Sequence, residues 1–123
     1  GKWFAAAKNA KLYGLAVKLA QKSPVDHRTL MRAAEDFATM EPLFALNSGL
    51  MALYWICAGR AYDPTTGEIL TVYNLILRAA EVAQCKEVAL KQIRNMLEGF
   101  PQEHFVKGAL ARAAGLWDAG PGD

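Results

Sequence analysis

The sequence predicts an all-α fold: antiparallel helix hairpins, packed as a short α-solenoid-like or irregular helical bundle around one buried helix over 42–58. Three observations carry this reading. The stretch PLFALNSGLMALYWICAG, from Pro42 to Gly59, holds no charged residue, with Glu41 before it and Arg60 after it. Nearly every other segment shows apolar residues at helical spacing, and none alternates with the period of two that a strand needs. Helix boundaries are written in the expected residue types, with Asp26 as an N-cap, Thr65-x-x-Glu68 as a capping box and Gly59 and Gly99 as stops.

In chain order, the first helical stretch covers 2–22, with Asn9-Ala10-Lys11 read either as a tight turn or as a continuation of the helix. Trp3 and Phe4 supply bulk, and Leu12, Leu15, Ala16 and Leu19 form an apolar stripe opposite Lys11, Lys18 and Lys22. Ser23-Pro24 ends it, because the residue before a proline is pushed out of the α region. The next helix, 27–39, turns Leu30, Ala34 and Phe37 inward, with Arg32 and Asp36 paired at i,i+4 outside. Pro42 then sits in the first turn of the central helix, where a missing N–H costs nothing.

That central run is long enough to raise a membrane span, but Asn47, Ser48, Gly49, Tyr54 and Trp55 interrupt it and ordinary amphipathic helices flank it. A core helix is the better reading, with no membrane involved. After the turn Asp63–Gly67 comes a helix over 66–83. Its polar residues Thr71, Asn74, Arg78 and Glu81 fall on one narrow stripe, so most of its surface is expected to be buried. A helix over 87–98 turns Ala89, Ile93 and Met96 inward. A last helix, 101–117, places Phe105, Val106, Ala109, Leu110, Ala113 and Trp117 on its apolar side. One domain over 1–118 is expected, with 119–123 as a flexible tail. The chain opens on Gly1 rather than Met, as expected of a trimmed chain or a piece of a longer one.

An echo runs through the chain. LMRAAE at 30–35 returns as ILRAAE at 76–81, each followed by a short turn and a second helix. Those second helices open on Phe44-Ala45-Leu46 and Val88-Ala89-Leu90, and Leu15-Ala16-Val17 stands at the matching place of the first hairpin. Small alanines at regular positions let antiparallel helices approach closely. Over Lys2 to Leu97 the pattern resembles tetratricopeptide-like helix hairpins, a likeness of architecture and not of family membership.

Composition narrows the function. Hydrophobic residues make up 53% and charged residues 21%, which is globular composition, and the net charge of +2 names no partner. Its distribution says more: seven of the Lys and Arg residues, against two acids, lie at or before Glu35, and the remainder is net acidic. Cys57 in the apolar helix and Cys85 in a turn have no metal-ligand spacing and suit a reducing compartment, so a cytoplasmic protein is expected. There is no Gly-rich phosphate loop, HExxH, GxSxG or CxxC. His27 and His104 each open a helix beside a carboxylate, but adjacent helical residues point apart, and both read as solvated surface histidines.

The sequence therefore reads as a non-catalytic interaction module for a protein or peptide partner, or for a second copy of itself, with no cofactor or metal. Its candidate contact residues are Lys11, Lys18, Lys22 and Arg28, a basic face for an acidic surface, with Tyr54 and Tyr62 as aromatic anchors. Trp55 reads instead as a joint between hairpins. The alternative is a nucleic-acid-associated accessory domain using the basic N-terminal helices, although binders of that class usually carry more charge.

Overall fold

The computed structural model describes residues 2–114, and within them the chain is all-helical, with seven helices and no strand. They are α1 (Lys2–Asn9), α2 (Tyr13–Lys22), α3 (His27–Asp36), α4 (Pro42–Cys57), α5 (Thr66–Val82), α6 (Lys86–Glu98) and α7 (His104–Ala114). Trp117 and the tail expected at 119–123 lie outside the described residues.

Helix α4 is the centre. It packs against α2, α3, α5 and α6, while α1 packs on α2 and α7 on α5. An uncharged helix has no polar face to give to water, so burial on several sides is its only stable placement. Small residues permit the close contacts. Ala45 and Ala52 of α4, Ala33 and Ala34 of α3, and Ala79 and Ala80 of α5 are all fully enclosed. Gly49 marks the tightest approach, since a Cβ there would stand 2.8 Å from Ile76 Cγ1 and 3.8 Å from the Ala34 methyl. Leu46, Leu50 and Leu53 are buried, as the uncharged run implies.

The echoed segments take matching places. Leu30, Ala33 and Ala34 in α3 and Ile76, Ala79 and Ala80 in α5 are buried alike, and their Arg and Glu partners are exposed alike. Ala16, Ala45 and Ala89, the middle residues of the other echo, are all fully buried in α2, α4 and α6.

Local chemistry sets the ends. Asp26 Oδ1 accepts the Arg28 N–H at 3.3 Å, and Thr65 with Glu68 forms a complete capping box at 3.0 Å in both directions. Gly59, at φ +76°, lets the Arg60 N–H turn back to the Trp55 carbonyl at 2.9 Å and closes α4. Helices α1 and α5 end through the same 6→1 bond without glycine, using Lys11 (φ 64°) and Gln84 (φ 59°) in the left-handed region.

Several details depart from the sequence reading. The break after Asn9 is real and takes Lys11 off α2, so Lys11, Lys18 and Lys22 do not share one helix face. Of the expected stripe, Ala16 is buried and Leu19 half-buried against the core, while Leu12 and Leu15 are exposed and Ala20 is buried, because Leu12 only precedes the helix. The last helix starts at His104 rather than Pro101, since the Glu103 side chain accepts the Val106 N–H at 3.1 Å and serves as its cap. Arg32 and Asp36, expected as a pair, form no ion pair among the described residues. Phe105 is exposed rather than inward.

The Gly49 contact yields a test. Gly49→Val adds bulk where α4 and α5 already touch, and should cost about 1–3 kcal/mol in urea melts, the usual range for overpacking. A variant as stable as the parent would mean that this crossing is loosely packed.

Candidate functional site

Five residues of α4 escape full burial: Pro42, Leu43, Asn47, Met51 and Tyr54. The last four recur every three to four residues, so they form one stripe along the helix. This stripe floors an open channel. One part, of about 690 Å³, lies over Asn47, Met51 and Tyr54 and is walled by Gln21 of α2 and by Gln92, Asn95 and Met96 of α6. The second part, of about 390 Å³, lies over Leu43 and Asn47 beside Tyr13, Val17 and Lys18 of α2. Both include Gln21 and Asn47, so they adjoin. From Leu43 to Tyr54 the floor runs about 16 Å at roughly 1.5 Å per residue.

Aromatic contacts stand at both ends. Tyr13 and Phe44 meet with ring centroids 4.8 Å apart, and Tyr54 lies edge-on to Phe100 at 5.6 Å. Beneath, the Trp55 indole N–H donates to the Ala20 carbonyl at 2.9 Å and draws the end of α2 against α4. That bond satisfies one of the four carbonyls a helix leaves open at its C-terminus. Trp55 is thus the joint that the sequence implied. No charged side chain lines the larger part, while Lys18 and Glu41 occupy the Leu43 end.

A second cluster joins the starts of α3 and α5. Arg28 donates through Nε to Glu68 Oε2 at 2.6 Å and through Nη2 to Oε1 at 3.2 Å, a two-pronged pair, and through Nη1 to the Tyr62 carbonyl at 3.3 Å. His27 is fully enclosed, with Nε2 3.3 Å from Glu68 Oε1 and Nδ1 3.5 Å from Asp26 Oδ1, the latter without hydrogen-bond alignment. The expectation of a solvated His27 is therefore corrected: the side chain folds under the α5 start, where a carboxylate 41 positions away receives it. His104 is exposed, as expected. An imidazole between two carboxylates has the makings of a general base, but its full enclosure keeps any substrate atom out of reach. The cluster is a latch.

Burial opposes ionisation of Glu68, yet the Thr65 N–H, His27 and Arg28 together outweigh it and hold the carboxyl below the usual glutamate value. Cys57 is buried, and burial chiefly, with the Glu103 charge, pushes its thiol up to about 12 against the pull of Lys107. It is a core residue and not a nucleophile at neutral pH. Among the described residues no three His, Cys, Asp or Glu side chains group to hold a metal ion, and no helix is long and apolar enough to cross a membrane.

The six contact residues chosen from the sequence divide accordingly. Tyr54 and Lys18 line the channel, at opposite ends. Arg28 is occupied by Glu68, and Tyr62 is exposed with its carbonyl taken by Arg28. Lys11 lies exposed in the α1–α2 turn, and Lys22 is exposed at the end of α2. Sequence reasoning missed Asn47 and Met51. A signal was present: Asn47 and Tyr54, two polar-tipped residues seven apart in an uncharged helix, mark one face.

Comparison of the chain with protein-family models, with curated proteins and with solved structures finds no match in any of the three.

The latch has a pH signature. Folding lowers the Glu68 pKa, so its ionised form contributes stability above the ordinary value of 4.5 and that stability is lost as pH falls through the folded value. Glu68→Gln should lower the melting temperature at pH 7 and flatten the loss on acidification below about pH 4.5. Parallel pH profiles for parent and variant would show that Glu68 is not held as described.

Proposed function

We propose that the protein is a non-catalytic interaction module that takes a peptide or a segment of a partner protein in the channel over α4. One observation carries the reading: the central helix is covered on every side but one, and the uncovered stripe is the floor of an aromatic-ended groove whose larger part carries no charged side chain. A core helix gains nothing by leaving Met51 and Tyr54 open to water. A partner would cover them, and an apolar floor with a few polar groups is the usual form of a binding site. The matching burial of the echoed segments supports a tetratricopeptide-like hairpin array as the scaffold. Two free cysteines, one buried and one half-buried, fit a reducing compartment such as the cytoplasm.

A second reading rests on Lys18 and Lys22, exposed one turn apart on α2 and without an ion pair among the described residues. With the neighbouring lysines they would meet an acidic or phosphate-bearing surface, nucleic acid included. Binding of that kind falls steeply with salt, whereas burial of apolar side chains does not.

The test is display selection of peptides on the intact chain, followed by Asn47→Lys and, separately, Lys18→Glu with Lys22→Glu. Asn47 lies on the uncovered stripe, so its variant should keep the parent's thermal melt. The channel reading expects Asn47→Lys to weaken the selected peptides by at least about tenfold at 0.15 M salt, where exposed charges beyond about 8 Å are screened. Unchanged binding by Asn47→Lys, with loss in the lysine variant and at higher salt, would transfer the site to the basic helices.

A further inference from the structure

The channel carries more hydrogen-bonding capacity than an apolar groove needs. Gln21 from α2, Asn47 from α4, and Gln92 and Asn95 from α6 bring four carboxamides to its larger part. Among the described residues, none of the four side chains donates or accepts an intramolecular hydrogen bond. Each offers two N–H donors and one carbonyl acceptor, complementary to the single N–H and C=O of a peptide bond. They come from both walls and the floor, and no charged residue lies among them.

Resting on the peptide-binding reading above, we infer that the occupant is an uncharged, extended peptide segment whose backbone is read by Gln21, Asn47, Gln92 and Asn95. A helical occupant has its backbone groups paired internally and would meet these carboxamides only through its side chains. An extended strand exposes an N–H and a C=O at every residue. The floor of the larger part, from Asn47 to Tyr54, runs about 10 Å and accommodates roughly three residues at about 3.3 Å each. A charged side chain entering the middle would lose water and find no counter-ion, which selects against it. Apolar side chains fit instead against Met51 and Met96, whose unbranched thioethers adjust to different shapes. Recognition through the backbone, with adaptable methionines beneath, makes the site tolerant of sequence and strict about conformation and charge.

The experiment follows the Asn and Gln side-chain NH2 signals of the intact, 15N-labelled chain by NMR during titration. The probes are three pools of short capped peptides: one uncharged and apolar, one rich in Asp and Glu, and one of helix-stapled amphipathic sequences. The expected result is saturable movement of the four side-chain NH2 signals with the uncharged pool. N-methylation of alternate backbone amides in a bound member should weaken it by about tenfold or more, because several backbone donors are removed at once. If channel signals move but the stapled or acidic pool binds more tightly, or N-methylation is without effect, the inference falls while the peptide site stands. If no pool moves the side-chain NH2 signals of Gln21, Asn47, Gln92 or Asn95, the peptide reading of the channel falls too. Concentration-dependent shifts of the same signals without added peptide, with a dimer in sedimentation, would make the occupant a second copy and also overturn the inference.

Discussion

The structure depends on one constraint, the burial of a helix that has no charged residue to show to water. Each apolar side chain of α4 moved from water to the interior contributes on the order of 1.5–3 kcal/mol, and the helix carries many of them. That drive is satisfied only if other helices surround it closely, and close approach requires small residues at the crossings. Gly49 and the alanine pairs of α3 and α5 meet that need. The echo of RAAE is, in physical terms, the same solution used on two helices that flank α4: a buried alanine pair between an exposed arginine and an exposed glutamate.

Much of this was legible because it is local. The uncharged run, Pro42 in its first turn, the Thr65–Glu68 box and Gly59 each act within a few residues, and each is where the sequence placed it. What escaped was set by distance or by unusual backbone. Glu68 announces itself as a capping residue, but its pairing with His27 and Arg28 spans about forty positions and follows from how α3 and α5 dock. Lys11 ends α1 in the left-handed region, a place normally marked by glycine, so the break carried little warning, and of the stripe read for α2 only Ala16 and Leu19 face the core. The channel was half visible. Tyr54 was chosen for its ring, whereas Asn47 looked merely like an interruption in an apolar run.

Latch and channel use α4 and its neighbours differently. The Arg28–Glu68 pair and enclosed His27 tie the starts of α3 and α5 together on their own account, and their residues are absent from the channel lining. Trp55 does the opposite, sitting in the core while its indole N–H draws α2 into place as a channel wall. A single helix thus supplies the core contacts on most of its surface and the candidate recognition stripe on the rest. On the proposed reading, change at Leu43 or Asn47 alters binding at small structural cost, whereas change at the buried positions of α4 costs stability.

Native-state hydrogen exchange tests the central role of α4 most directly. The account predicts that the amides of 46–57 exchange only through global unfolding, with protection equal to the stability from urea melts, while those of α1 exchange by local opening. If the α4 amides exchange while those of α3 and α5 stay protected, the helix is peripheral and the account is wrong.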